Sequence, residues 1–227
     1  MSFTTVRANA RSRFNETQIY LNYIVSLEPS DPTIVAPLEL KIMRGLFQVQ
    51  LYACLEKTIN EIVEQALREI SSKRVKTSHY IIQFGTISLA NKLRALKDCG
   101  YDKFFPKSTE LFSELSEKSI LPLNETLFST MLQNVWAKTI EEVINAFGIK
   151  DYTIGVNARA TIDELVNKRN AVAHGRESAA TIGERQRSQI LTSKMTTITT
   201  ISYEIIDLFD TYCAAKTFIK SSAKRYY

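Results

Sequence analysis

The strongest constraint on the fold of this chain is that no proline occurs between residues 123 and 227. Proline lacks a backbone N–H and fixes φ, so it interrupts helices. The whole chain has only 7 glycines and 5 prolines, whereas all-β proteins need many tight turns, which these residue types favour. The sequence therefore predicts an all-α fold.

Apolar residues recur every three or four positions along much of the chain, as they do on the buried face of a helix. The longest example begins at Pro37, a residue that suits the first turn of a helix. Its first apolar positions are Leu38, Ile42, Leu46, Val49 and Ala53. A rod of this length, about 50 Å at 1.5 Å per residue, suits the central helix of a bundle.

The same spacing divides the rest of the chain into helices and connections. We predict helices over residues 7–27, 37–70, 78–97, 125–147, 162–173 and 186–219. Residues 98–124 are less regular, and we predict a long loop there with a short helix at 109–116.

Several helix ends have recognisable signals. Gly148 is expected to cap the helix before it, and the helix over 162–173 is expected to end at Gly175. Thr161 and Glu164 have the spacing of a capping box and predict a helix start. Residues 192–200 are rich in β-branched side chains, but the helical spacing on both sides predicts helix there too.

Length and cysteine content bound the class of protein. Residues 1–227 are predicted to form one domain, large enough to bury a core without disulfides or metals. Cys54, Cys99 and Cys213 are odd in number and scattered, so they predict small core residues in a reducing cytoplasm and no disulfide framework. No run of 18 apolar residues and no secretory signal is found, so no membrane association is expected.

The net charge of +5 is unevenly distributed. Basic residues outnumber acidic ones in residues 1–15, 67–103 and 157–227. Such segments can meet a phosphate backbone, although most basic clusters are only solvated faces. Charge alone therefore permits RNA as a partner without indicating it.

Most catalytic signatures are missing from the sequence. The glycines are isolated, so no phosphate-binding loop is predicted, and two histidines with three scattered cysteines do not make a metal site. No metal or other cofactor is therefore expected. His79 lies at a predicted helix start, and we interpret it as structural or exposed, which leaves His174.

The segment around His174 combines three polar side chains on one predicted helix. Arg169 falls on the apolar stripe, and a buried guanidinium must meet water in a cleft, an acid or an anion. Asn170 and His174 lie four residues apart, so they share a helix face. The structural alternative is an arginine paired with an acid of the bundle and a histidine near the helix C-terminus, where the helix dipole favours it.

Arg169-Asn170-x3-His174, within residues 166–175, closely resembles the signature of the HEPN superfamily. The order of the helices is also similar to that of stand-alone prokaryotic HEPN proteins of the RiboL-PSP type. The resemblance implies a HEPN-like helical bundle with its motif helix at about 162–174.

The resemblance also implies a chemistry, because many HEPN proteins are metal-independent endoribonucleases. His174 would transfer protons at the ribose 2′-hydroxyl or the leaving oxygen, Arg169 would stabilise charge on the phosphate, and Asn170 would orient His174 or the phosphate. Two motifs face each other in the family, so a homodimer with a composite active site is implied. Four further basic residues are predicted to bind RNA: Lys168, Arg176, Arg185 and Arg187.

The biological role implied is that of a toxin or antiphage defence effector. In some HEPN toxins a tyrosine two residues after the histidine is modified by a partner enzyme. Here that position is Arg176, which argues against this mode of control but not against a protein antitoxin or regulator of another kind. Two alternatives stay open: a catalytically inactive HEPN-fold module that binds RNA or protein, and an unrelated helical adaptor in which Arg169 and His174 are structural.

Overall fold

A computed structural model describes residues 3–31, 33–117 and 119–227, and within them nine α-helices make up most of the chain. They are α1 (Thr4–Ser26), α2 (Leu38–Ser72), α3 (Ile82–Ser88), α4 (Ala90–Lys97), α5 (Tyr101–Ser116), α6 (Ala137–Ala146), α7 (Val156–Ala173), α8 (Ala179–Glu184) and α9 (Ser188–Ala214). Short 3₁₀ turns lie at Thr77–His79, Met131–Gln133 and Ser221–Tyr226. The described residues contain no β-sheet, only one isolated bridge between Tyr80 and Ile219. The predicted all-α fold is confirmed.

Helix α2 is the central rod of the bundle, and α1, α7, α8 and α9 all pack against it. Its start at Leu38 after Pro37, and its end at Ser72, lie close to the predicted bounds. Its buried side chains recur at three- and four-residue intervals on more than one side, as expected for a helix surrounded by others. They include Phe47, Leu51, Leu55, Ile59, Ile62 and Leu67.

Helix α8, which the sequence analysis did not predict, crosses α2 in backbone contact. A Cβ atom on Gly45 would lie 1.9 Å from the carbonyl oxygen of Ala179, and one on Gly183 would lie 1.8 Å from that of Lys41. Two glycines thus allow the two helices to approach far more closely than side chains permit. The contact fixes the segment between α7 and α9 onto the central helix.

The single helix predicted over 78–97 is wrong. Tyr80 and Ile81 are extended, and the Ile81 N–H donates to the carbonyl of Phe218 at 3.0 Å. This pairing with the end of the chain separates the 3₁₀ turn from α3. A second break at Leu89, where ψ is 10°, separates α3 from α4.

The loop predicted over 98–124 is also wrong, because α5 occupies residues 101 to 116. Pro106 lies inside this helix and is exposed. A proline has no N–H for the helical hydrogen bond, and its ring clashes with the carbonyl four residues earlier. Here it does not end the helix. The predicted short helix at 109–116 is therefore only the second half of α5.

The long helix predicted over 125–147 is wrong in its first half. Residues 125–130 form turns, and regular helix begins only at Ala137. Asn134 is extended, and the N–H of buried Val135 donates to the Tyr52 hydroxyl at 3.1 Å. A hydrogen bond to the central helix thus replaces the helical one.

The capping box predicted at Thr161 is not formed, because α7 starts earlier, at Val156. The Thr161 hydroxyl instead donates to the Asn157 carbonyl at 2.9 Å, inside the helix. The last predicted helix, 186–219, is shorter in the structure and ends at Ala214. The β-branched stretch 192–200 lies within α9, as predicted.

The predicted cap at Gly148 and the predicted helix end at Gly175 are both confirmed. Gly148 has φ +88° and Gly175 has φ +66°, the left-handed region that glycine adopts at low cost. After Gly148 the chain makes two closing hydrogen bonds, from Gly148 N to Asn145 O at 2.9 Å and from Ile149 N to Ile144 O at 3.3 Å. These are the bonds of a Schellman motif.

The cysteines are free thiols. Cys54 and Cys213 are buried, and burial raises the pKa of both thiols, to about 12 for Cys213. Cys99 is only partly buried, so the predicted core role is right for two of the three. Across the described ranges, none of the helices combines the length and apolar character needed to cross a membrane.

Candidate active site

Helix α7 brings the motif residues against the central helix. Ile162, Leu165 and Val166 are buried and pack into the core. Arg169 follows on the same side of α7, as the stripe predicted, and its side chain is only 18% exposed. The motif helix therefore directs a guanidinium towards α2 at the edge of the core.

The Arg169 guanidinium is held from several directions. Nη2 lies 3.3 Å from the Glu56 carboxylate and donates to the Gln133 carbonyl at 3.3 Å. Nη1 donates to Asn170 Oδ1 at 2.9 Å. The guanidinium carbon lies 4.0 Å from the centre of the Tyr52 ring, within the range of a cation–π contact. Of the partners expected from the sequence, the structure supplies an acid.

Tyr52 and Glu56 form one turn of α2 beneath the motif. Tyr52 is fully buried, and burial raises the pKa of its hydroxyl, so the group stays protonated. The hydroxyl oxygen accepts from the Val135 N–H, which fixes the ring that lies against Arg169. The Glu56 side chain is 32% exposed, so water reaches part of it.

His174 ends α7 and is exposed to solvent. Its backbone N–H donates to the backbone carbonyl of Asn170 at 3.1 Å. The chain then turns at Gly175, where Gly175 N and Arg176 N donate to Val172 O and Ala171 O. The helix end thus presents the imidazole to solvent, on the helix face that also carries Asn170.

The four predicted RNA-binding residues have different surroundings. Arg176 and Arg185 are exposed, Arg176 just after the motif and Arg185 at the end of α8. Arg187 is exposed at the start of α9. Lys168 is only partly exposed, and its ammonium pairs with Glu164 one turn earlier on α7. Arg176 therefore lies nearest to His174 in the chain, and Lys168 is already engaged.

A polar network around the buried Lys194 and Gln186 lies on another side of the motif helix. The Lys194 ammonium lies 2.8 Å from Glu164 and donates to Gln186 Oε1 at 2.9 Å. Burial lowers the pKa of Lys194 to about 8. Ion pairing with Lys168 and Lys194 holds the pKa of Glu164 below its usual value although burial opposes it. These contacts tie α7 to α9 and to the end of α8.

Sequence reasoning did not find the α2 half of the site. Glu56 lies 113 positions before Arg169, and no local pattern joins residues so far apart. Tyr52 and Glu56 do have helical i, i+4 spacing, but α2 has several other acids at similar positions. Only the packing of α7 on α2 brings Tyr52 and Glu56 to Arg169.

The other histidine has a structural environment, as interpreted from the sequence. His79 Nδ1 lies 3.0 Å from the Tyr227 hydroxyl, and its ring stacks on Tyr226. Among the residues that the structure covers, His, Cys, Asp and Glu side chains form no group of three or more that could hold a metal ion.

A helical bundle with an Arg-Asn-x3-His helix against its central rod is the arrangement expected of a HEPN-type domain. The model of the RiboL-PSP-HEPN family matches residues 9–213, most of the chain. The chain therefore belongs to the RiboL-PSP-HEPN family, as the resemblance implied. No curated protein and no solved structure matches it.

Proposed function

We propose that this protein is a metal-independent endoribonuclease of the HEPN type. The proposal rests on one arrangement: an exposed His174 at the end of a helix whose preceding turn holds an oriented Arg169–Asn170 pair. The chain's family membership makes RNA the substrate class to test first.

The proposed reaction uses the RNA's own 2′-hydroxyl as the nucleophile. The 2′-oxygen forms a bond to the adjacent phosphorus as its proton passes to a base, and the bond from phosphorus to the 5′-oxygen breaks as an acid protonates that oxygen. The products are a 2′,3′-cyclic phosphate and a 5′-hydroxyl. DNA, which lacks the 2′-hydroxyl, is not cut.

Each motif residue has a role suited to its surroundings. His174 is accessible, and histidine is the side chain that most often serves in general acid–base catalysis, which contributes about 10² to 10⁴ in rate. Arg169 stabilises the charge on the phosphate oxygens. Asn170 accepts from Arg169 through its oxygen, so its amide N–H groups can donate to a phosphate oxygen or to His174.

The reaction needs an acid and a base, and each chain offers one histidine at this site. We therefore propose a homodimer in which two motifs face each other across a two-fold axis. Arg176, Arg185 and Arg187 contribute phosphate contacts along the RNA, and Lys168 does so only if it leaves Glu164.

In the cytoplasm such an enzyme acts as a toxin or defence effector and is restrained by a protein antitoxin or regulator.

The test is RNA cleavage in vitro. Wild type and His174→Ala are purified, compared for folding, and incubated with bulk cellular RNA in excess EDTA. We expect only wild type to cut and to leave 2′,3′-cyclic phosphate ends. Equal cutting by both proteins would remove His174 from the mechanism. Binding of RNA without cleavage by either protein would favour the inactive HEPN-fold module.

A further inference from the structure

The Glu56 carboxylate occupies the part of the Arg169 guanidinium that a phosphate needs. The three hydrogen bonds from Arg169 use both Nη2 protons and one Nη1 proton. A guanidinium binds phosphate best through two N–H groups in parallel. With Nη2 engaged, such a two-point contact requires that one of its present acceptors leave.

Glu56 is the acceptor best placed to leave. Its contact with Arg169, at 3.3 Å, is longer than the 2.7–2.9 Å of a strong charge-assisted bond. Its side chain is also more exposed than that of Arg169, so water can solvate the released carboxylate. Gln133, in contrast, accepts through a backbone carbonyl two residues before the buried Val135, and the Tyr52 hydroxyl lies 3.5 Å from the same oxygen, so this acceptor has less freedom to move.

The guanidinium itself has a support that stays in place during such an exchange. The Tyr52 ring lies 4.0 Å below it, in the core, with its hydroxyl bonded to Val135. Asn170 holds the other amino group at 2.9 Å. The loss of Glu56 would therefore free the edge of Arg169 without releasing the group.

We propose that Glu56 is a stand-in anion, which holds Arg169 in the free protein and is exchanged for an RNA phosphate on binding. Tyr52 is the positioning residue that keeps the guanidinium in place while the two anions exchange. The inference rests on the proposed function, and it adds the place where the phosphate binds and the residue that competes with it.

The proposal predicts that removal of the Glu56 charge strengthens RNA binding. The probe is a fluorescently labelled, mixed-sequence single-stranded RNA, titrated in EDTA with proteins that carry His174→Ala so that the RNA stays intact. In this background Glu56→Gln should bind about five-fold more tightly, because one competing charge near the phosphate is gone while an oxygen acceptor for Arg169 is kept. Glu39→Gln makes the same change of net charge in the first turn of α2, about 25 Å away, and should change binding less than two-fold.

The tightening must also depend on Arg169. With Arg169→Ala added, Glu56→Gln should have no effect beyond that of Glu39→Gln. If the His174→Ala protein binds RNA and the addition of Glu56→Gln leaves that binding equal or makes it weaker, the stand-in role is overturned while the proposed function is not. Tightening that persists without Arg169 would do the same, because the effect would then be general electrostatics. Absence of RNA binding by wild type and by every variant would overturn the proposed function and the stand-in role together.

Discussion

At the scale of single residues, Arg169 and His174 differ in how much of the fold depends on them. Arg169 contacts Glu56, Asn170, Gln133 and the Tyr52 ring, so it is both a structural and a candidate catalytic group. His174 is exposed at the end of α7. A site that is oriented before substrate arrives is the arrangement that favours electrostatic catalysis.

The first prediction separates folding from catalysis at these two positions. His174→Ala should change the free energy of unfolding by no more than about 0.5 kcal/mol, as exposed substitutions usually do. Arg169→Ala should lower it by about 1–3 kcal/mol, because this side chain is only 18% exposed and the variant loses its contact with the Tyr52 ring and its hydrogen bond to the Gln133 carbonyl. Urea denaturation followed by circular dichroism measures both. A loss above 1 kcal/mol for His174→Ala would instead support a structural role and the helical-adaptor alternative.

At the scale of helices, the backbone contact between α2 and α8 gives the second prediction. Gly183→Ala should lower the melting temperature clearly, with a cost of more than about 2 kcal/mol, because its Cβ would lie 1.8 Å from the Lys41 carbonyl oxygen. This is opposite to the gain of about 1 kcal/mol that alanine normally brings to a helix interior. Gly85→Ala, inside α3, is the matched control, since its Cβ would lie 3.7 Å from its nearest neighbour, Leu115, an ordinary van der Waals contact. Equal melting temperatures for the two variants would contradict the close crossing.

The third prediction concerns pH and the network that joins α7 to α9. The pKa of Lys194 is lowered to about 8 in the folded protein, against 10.5 for the ordinary group. Between these two values the unfolded chain binds more protons than the folded one, so stability should rise with pH. Below pH 8 the ammonium is charged in both states, so the full cost of burying its charge remains and stability no longer changes with pH through this group.

The measurement compares wild type with Lys194→Met by urea denaturation at pH 7.5 and at pH 10. The stability of wild type relative to the variant should increase by about 1–2 kcal/mol over this range, less than the full shift would give because solvent screens part of it. Lys138→Met, at an exposed position, is the control and should show no such trend. A constant difference between wild type and Lys194→Met would mean that Lys194 titrates normally.

What the sequence predicted well at this scale are features decided by neighbouring residues. The repeating apolar positions located α1, α2 and the body of α9, and Gly148 and Gly175 marked true helix ends. The wrong assignments lie where distant residues take over the backbone's hydrogen bonds. The Ile81 N–H donates to the Phe218 carbonyl, and the Val135 N–H donates to the Tyr52 hydroxyl. These partners are so far apart in the sequence that no local pattern predicts the bonds.

The candidate site divides in the same way. Arg169, Asn170 and His174 lie within six residues on one helix, so their spacing could be recognised directly. Glu56 and Tyr52 reach them only through the packing of α7 against α2. The need of Arg169 for an acid was predictable from the cost of burying a charge, but the identity of that acid was not.

At the scale of the whole molecule, the central question is whether one chain can complete the chemistry. Each chain presents one exposed histidine in the motif, while the proposed cleavage uses a base and an acid. His79 is stacked and hydrogen-bonded among aromatic side chains near the end of the chain. The second catalytic histidine of the proposed mechanism is therefore His174 of another copy, in a symmetric dimer.

The last prediction tests this with mixed dimers that contain one wild-type and one His174→Ala subunit. The two subunits carry different affinity tags, are isolated by sequential purification, and are checked for dimer mass by native mass spectrometry. If the two histidines act on one bond, kcat for RNA cleavage should fall by about 10²-fold or more, the usual loss when one proton-transfer group is removed. A doubly tagged wild-type dimer is the control and should be fully active.

The alternative gives a different number, because two independent sites would leave the mixed dimer with about half of the wild-type kcat. That result, or full cleavage activity in a protein that stays monomeric, would contradict the composite site. In that case His174 of a single chain would take the proton from the 2′-hydroxyl as a base and then, as an acid, protonate the leaving 5′-oxygen. The two outcomes, about a half and about a hundredth or less of the wild-type kcat, differ by about fifty-fold. Misfolding of the variant subunit is not expected to obscure this difference, because His174 is exposed and its loss is expected to be neutral for stability.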